Sequence, residues 1–438
     1  VRFDGKVILE GAWEPFSLEK PQMLHSLSKI GTSICLGFAL DEGKIHLEDK
    51  LLDYVRDELP EEYDPALEDL TIYHLLTMQA GSKECYNNVW FSKLTRDWET
   101  NWLKQPKIRE DIGKAFHYDS GCSYTLSRIV TKVMGKNCLA LMQERVFDKM
   151  GFGEINWLTS PEGHNTGGWG MYLTAGKISA LAQLLLQKGE WNGEQLIPAW
   201  WTEEIGKMRV VIPEDEKKAL THYAYHIKAG KEIFAAEGAF GQYLICFRDY
   251  PVAIGITAGA SEYIKEAVQI PCEKENLEEA QEKLEEKLVH LTLPKPEGDK
   301  KDTNEATKKL LNKRIVFTEN PRQIESAVIS TVGEELKLEL TVAGEKKILF
   351  AGYKDWKCND MYPNDFTKRY HAVSYAFDED ALYLSVGLLN TSYREEYCLW
   401  VNSENVVVGT WRPNVTYLPA EEDMTWKFTG TFEPSCIL

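Results

Sequence analysis

The sequence predicts a mixed α/β fold built on an antiparallel sheet, followed by a smaller all-β domain. Three observations carry this reading. Helical apolar spacing fills the middle of the first part of the chain, strand-like alternation flanks it at both ends, and after Arg314 the helical period almost vanishes. A chain of 438 residues exceeds one ordinary core. The expected division is a domain over 1–292, a linker over 293–313 and a β-domain over 314–438.

Taken in order, "VRFDGKVILEG" (1–11) alternates about Asp4-Gly5 and reads as a β-hairpin. Residues 26–42 place Ile30, Ile34 and Phe38 at a spacing of four, which predicts a helix stopped by Gly43. The stretch 123–135 turns Leu126, Ile129, Val130 and Val133 to one face and stops at Gly135. The stretch 174–189 does the same with Ile178, Leu181, Ala182 and Leu185, stopping at Gly189. Strands return over 242–257, with a turn near Asp249-Tyr250-Pro251. "EKENLEEAQEKLEEKL" (273–288) is a charged helix, and "PKPEGDKKDTNEATKK" (294–309) has the polarity of an exposed linker. Beyond it, "LKLELTVAG", "KKILFAGYKDW", "HAVSYAFDEDALYLSVGLL", "EEYCLWVNSENVVVGTW" and "TWKFTGTF" alternate as strands. Asp378-Glu379-Asp380 and Asn402-Ser403-Glu404-Asn405 stand where hairpin turns belong.

Charge and cysteine usage narrow the function. A net charge of −18 argues against nucleic acid or an anionic membrane surface as partner. The nine cysteines (Cys35, Cys85, Cys122, Cys138, Cys246, Cys272, Cys358, Cys398 and Cys436) form no C-x-x-C pair, and several sit in apolar patterns. That is the usage of reduced, buried thiols in a cytoplasmic protein, so the sequons at Asn390 and Asn414 are expected to be chance. No apolar run reaches the ~18–20 residues of a membrane span. Val1 stands inside a strand-like pattern, so a preceding segment, a signal peptide included, is compatible with the sequence.

Ser-x-x-Lys occurs twice, as Ser17 with Lys20 and as Ser26 with Lys29. On a helix this spacing sets a hydroxyl and an amine one turn apart on one face, so that the amine can take the proton of a serine nucleophile. Pro21 disfavours helical geometry at the first pair, which places Ser17 in a loop. Ser26 opens the apolar helix, where its N–H and the positive helix end favour a developing anion. The alternative for Ser26 is a plain N-cap with Lys29 in solvent.

"LHSLSKIGTS" followed in order by "LTIYHLLTMQAG" (70–81), "FHYDSGCSYTLSRIVTKVMGK" (116–136) and "GGWGMYLTAGKISALAQLLLQKGEWNGEQLIP" (167–198) resembles the β-lactamase-related serine hydrolases. That superfamily spans class C β-lactamases, penicillin-binding D,D-peptidases, bacterial esterases and nylon-oligomer hydrolases, and the resemblance covers roughly residues 1–292. It implies a β-lactamase-like fold, an antiparallel sheet flanked by helices beside an all-helical region. It also implies Ser26 as nucleophile, Lys29 as its base and Tyr118 as the tyrosine of a Tyr-x-Asn motif that here reads Tyr118-Asp119-Ser120. A lysine removed from water can have its pKa lowered enough to accept a proton, and a nearby phenol can shuttle that proton to the leaving group.

The third family motif departs from the pattern. "AAEGAFGQ" (235–242) aligns Ala236, Glu237 and Gly238 to a Lys-Thr-Gly or His-x-Gly triplet. Gly238 is kept, and the N–H of Ala239 would be the second oxyanion donor beside that of Ser26. The cation is lost at Ala236, and Glu237 would repel a substrate carboxylate if it faces the pocket. The expected substrate is a small ester or amide without a carboxylate at that point. A β-lactamase or D,D-peptidase is one alternative, and a non-enzymatic binding or sensor protein that kept the fold is another.

No cofactor is called for, and no histidine pair has metal spacing. His74, in an apolar helix, reads as structural, His117 is a lone histidine, and His164 either lines the pocket or lies in a surface loop. No G-x-S-x-G elbow occurs, and "NTGGWGMY" lacks the strand-to-helix context of a nucleotide site. The β-domain carries no catalytic motif and is expected to cover the cleft or support a homodimer.

Overall fold

The computed structural model describes residues 1–213, 219–260, 277–299, 308–359, 370–378, 380–417 and 424–433. They form two compact units. The first comprises Val1–Glu10 and Pro21–Ala258; the second comprises Gly11–Lys20 with the described residues from Gly259 onward.

In the first unit, eight strands make one antiparallel sheet: β1 (Arg2–Phe3), β2 (Lys6–Val7), β3 (Val210–Val211), β4 (His222–Tyr223), β5 (Lys228–Ala229), β6 (Ile233–Gly238), β7 (Gln242–Phe247) and β8 (Val252–Ile256). Their order across the sheet is β2-β1-β8-β7-β6-β5-β4-β3. The expected hairpin is present: Asp4 and Gly5 take φ of 46° and 78°, the left-handed pair that matches the twist of the two strands. Three helices line the interior, α1 (Lys29–Asp41), α2 (Ser120–Met134) and α3 (Ala175–Leu186). Gly255 of β8 lets α3 lie close on the sheet, since a Cβ there would stand 2.3 Å from the Ala175 carbonyl.

Two expectations change. The helix expected to open at Ser26 starts at Lys29, and His25–Ser28 form a 3-10 turn ahead of it. The apolar stripe expected along α1 is instead burial all round, from Lys29 through Ala39. The helix threads the core, and Gly31 and Gly37 leave the space filled by the indoles of Trp157 and Trp201. α2 follows expectation at its end, where Gly135 adopts φ of 68° as the left-handed stop.

In the second unit, α4 (Leu277–Val289) carries the charged helix; the part expected over 273–276 lies outside the described residues. A two-residue strand, Lys357–Cys358, pairs at the side of the strand His371–Asp378, and the other strands are β9 (Arg314–Phe317), β10 (Ile324–Val332), β11 (Glu335–Val342), β12 (Glu345–Tyr353), β13 (His371–Asp378), β14 (Ala381–Leu388), β15 (Arg394–Val401), β16 (Val407–Pro413) and β17 (Trp426–Phe432). They run β12-β11-β10-β9-β17-β16-β15-β14-β13, every neighbour antiparallel, and β12 then pairs with β13 to close a barrel. An odd ring of alternating strands must close on a parallel pair, and Gly352 opposite Ser374 is that pair. Closure leaves no free edge among these strands. Alternate residues fill the interior, among them Leu336, Leu338, Tyr375, Phe377, Leu382 and Leu399. The expected turn at 402–405 joins β15 to β16, and the one expected at 378–380 includes Glu379, which lies outside the described residues. The Asn414 amide is occupied within this unit, accepting from the Arg394 N–H and donating to the Ser392 carbonyl.

Among the described residues no helix is long and apolar enough to cross a membrane. The seven described cysteines are free; Cys35, Cys122, Cys138 and Cys246 are buried as expected, whereas Cys85 and Cys358 are exposed.

Candidate active site

Lys29 is the first residue of α1, and only 1% of it is exposed. A buried amine needs partners for every hydrogen. Its Nζ donates to Ser26 Oγ at 3.3 Å, to Ser120 Oγ at 3.0 Å and to the Gly168 carbonyl at 2.9 Å. The same nitrogen lies 4.8 Å from the centre of the Tyr118 ring. Thus three segments far apart in sequence converge on one atom. Ser26, Lys29, Tyr118 and Ser120 come together, and the other Ser-x-x-Lys pair lies in a non-helical segment.

The turn that carries Ser26 is held in an uncommon conformation. His25 takes φ of 47°, in the left-handed region that a residue with a side chain seldom adopts. Its ring meets Phe240 edge-on at 5.3 Å. Burial pulls the His25 pKa down to about 4. Gly238, at the end of β6, abuts this turn, for a Cβ there would stand 2.1 Å from the Leu24 carbonyl. The third motif therefore borders the nucleophile, and only glycine permits that approach. Ala239 follows in the turn to β7, and Ala236 is buried in the core of the unit.

Glu237 is not a bare carboxylate. Lys228, on the neighbouring strand β5, binds it at 2.8 Å, and both side chains are about a fifth to a quarter exposed, 18% and 26%. The repulsion of a substrate carboxylate expected from Glu237 is thereby offset. Glu237 also acts on Tyr223, whose hydroxyl burial drives to a high pKa, and the Tyr223 ring meets that of Tyr118 at 6.3 Å.

Four contributors escaped the sequence reading. Gly168 accepts from Lys29, and a Cβ on it would stand 3.1 Å from Ser120 Cβ and 3.4 Å from Lys29 Nζ. The glycine cluster of "NTGGWGMY" was the signal, since a loop rich in glycine allows a backbone to approach other groups closely. Cys85 is exposed as a residue, but its thiol lies beside Ser120, where desolvation raises its pKa. His226 is fully buried, donates from Nδ1 to the Leu76 carbonyl at 3.0 Å, and is pulled down to about 3 by burial and then by Lys29. Lys228 is the fourth.

The remaining histidines sit outside this cluster. His74 completes a capping box with Thr71, a structural role as expected. His117 pairs with Asp111 at 2.8 Å. His164 lines a separate cavity of about 230 Å³ with Tyr54, Arg128 and Lys132. Among the described residues no group of three or more His, Cys, Asp or Glu side chains is arranged to hold a metal ion.

With this geometry in view, the comparisons with known proteins are specific about fold. The Beta-lactamase family model matches residues 1–268. No curated protein matches the chain. The octameric penicillin-binding protein homologue from Pyrococcus abyssi is similar over 98% of this chain and 94% of its own, at 12% identity and a TM-score of 0.50. A penicillin-binding protein homologue from Caulobacter crescentus is similar over 56% of this chain and 79% of its own, at 16% identity and a TM-score of 0.45. A D-stereospecific amidohydrolase from Streptomyces is similar over 54% and 81%, at 14% identity and a TM-score of 0.44. At such identities the likeness is one of fold.

Proposed function

The chain belongs to the Beta-lactamase family, and from that footing we propose that it is a serine hydrolase that passes an acyl group from an ester or amide to water through a covalent ester on Ser26. The observation that carries the reading is the convergence of Ser26, Ser120 and Gly168 on the buried Lys29 Nζ.

In the proposed step Lys29 acts as base in the form of a neutral amine. Such an amine has two hydrogens and one lone pair. The Gly168 carbonyl can only accept and takes one hydrogen; Ser120 Oγ takes the other; the lone pair is left for the Ser26 hydroxyl. Lys29 then accepts the Ser26 proton while Oγ bonds to the substrate carbonyl carbon. The carbonyl oxygen becomes an oxyanion, assigned to the backbone N–H groups of Ser26 and Ala239. Collapse breaks the bond to the leaving group, which departs with a proton returned from Lys29 by way of Tyr118. A water molecule repeats the sequence on the acyl-enzyme and frees Ser26.

One observation favours a second reading. Because Lys228 neutralises Glu237, a substrate carboxylate is tolerated at this edge, which keeps β-lactams among the candidate substrates. The test is steady-state hydrolysis of p-nitrophenyl esters, aryl amides and a penicillin by wild type, Ser26→Ala and Lys29→Met. We expect turnover of at least one class, reduced by about 10³-fold or more in both variants. Turnover that survives Ser26→Ala would overturn the reading.

A further inference from the structure

We propose that Asp119 is a positioning residue that aims Tyr118 and Ser120 at Lys29, a role that rests on the acyl-transfer reading above. Asp119 itself touches neither Lys29 nor Ser26 in any hydrogen bond of the structure. Its backbone is extended, with φ of −146° and ψ of 114°, so the side chains before and after it point one way and its own points the other. The contacts follow that rule. Tyr118 lies against Lys29 and Ser120 bonds to it, while the Asp119 carboxylate turns to the opposite side.

There it is held at both oxygens. Oδ2 accepts from Ser82 Oγ at 2.5 Å and from Trp102 Nε1 at 2.8 Å; Oδ1 accepts from the Gly121 N–H at 2.8 Å and caps α2. The backbone N–H of Asp119 donates to Met78 Sδ at 3.4 Å. A second buried amine stands behind these groups: Lys107 Nζ is 3.4 Å from Ser82 Oγ and 4.1 Å from the centre of the Trp102 ring. Asp119 and Trp102 have no exposed surface, and Lys107 is 6% exposed. A buried carboxylate bound by three donors beside a cation has one conformation open to it. Fixing the middle residue of an extended triplet fixes the direction of its flanks. Gly121 belongs to the same device, because a Cβ there would stand 2.0 Å from Trp102 Nε1 and push the indole off the carboxylate.

The test uses the full chain with Asp119→Asn and Trp102→Phe. Asparagine keeps the size but turns an amide NH₂ toward groups that also donate; phenylalanine removes one donor and keeps the charge. Assayed well below their own melting temperatures, Asp119→Asn is expected to lose about thirtyfold or more in kcat with KM within about threefold, and Trp102→Phe to fall between it and wild type. In the crystal structure of Asp119→Asn, Ser120 Oγ is expected to leave hydrogen-bond reach of Lys29 Nζ. Turnover within about threefold of wild type, a loss confined to KM, or an intact Ser120–Lys29 contact would overturn the inference. The structural readout decides the point even if wild type hydrolyses no substrate, an outcome that would count against the acyl-transfer reading alone. If Asp119→Asn does not fold, the same readouts on Trp102→Phe decide it.

Discussion

Lys29 survives burial because three oxygen atoms satisfy its amine, and two of those three were open to a sequence reading. Ser26 follows from spacing and Ser120 from the motif that resembles Tyr-x-Asn; Gly168 offers only a backbone carbonyl, which no side-chain motif records. The Lys228–Glu237 pair was hidden for a related reason, since strand pairing brings together residues that local pattern leaves unrelated. Two outcomes are expected at this scale. Lys228→Met leaves Glu237 unpaired, so kcat/KM for an anionic ester should fall about tenfold or more relative to a neutral one; Glu237→Gln should move the ratio the other way. Equal ratios in all three proteins would remove the pair from substrate selection. Gly238→Ala forces a methyl against the Leu24 carbonyl, with only 2.1 Å between them, and should cost about 1–3 kcal/mol in urea unfolding together with activity.

Elements divide by how far their signal is local. α2 and α3 were legible because apolar residues at helical spacing and a glycine near the end suffice to mark a helix, and the helix at 123–135 is observed with its N-terminus three residues earlier, at Ser120. α1 was legible as a helix from its stripe of Ile30, Ile34 and Phe38 but not as a buried one, since the glycines and small polar residues between them carry no sign that they face the core as well. The paired strands of two residues, such as β4 and β5, are shorter than any alternation can register. Barrel closure was not legible at all, since it depends on which strands pair and not on how each alternates. The barrel also holds a polar group that its alternation hides. Glu395, 5% exposed, takes Arg322 at 3.0 Å and the Tyr397 hydroxyl at 2.6 Å. Glu395→Ala strands a largely buried guanidinium and should lower the unfolding free energy of this unit by about 2–3 kcal/mol, discounted for the partial exposure of Arg322. An unchanged denaturation midpoint would contradict that.

Over the whole molecule, pH should act through three buried groups. His25 and His226 are pulled down from 6.5 to about 4 and about 3, both chiefly by burial, so the fold prefers them neutral. Their contribution is complete above pH 6.5 and is lost as pH falls, toward 4 for His25 and toward 3 for His226, at about 3 and about 5 kcal/mol. Glu99 runs the other way: burial raises it from 4.5 to about 7, so its contribution is complete below pH 4.5 and is lost as pH rises toward 7. Between pH 4.5 and 6.5 two groups oppose one, and stability should rise with pH; Glu99→Gln should steepen that rise. A melting temperature that is flat or falling across this window would contradict the assignment. The match of one family model over residues 1–268 fits the β-lactamase-like fold expected there, and the barrel of the second unit is the smaller β-domain expected after it. They leave chemistry to be measured. The most direct measurement is the intact mass of the protein, quenched soon after mixing with a p-nitrophenyl ester, for wild type and Ser26→Ala. The account requires one acyl group on wild type, mapped to the peptide that contains Ser26, and none on Ser26→Ala. An acyl group on any other residue, or release of p-nitrophenol at equal rates from both proteins, would contradict it.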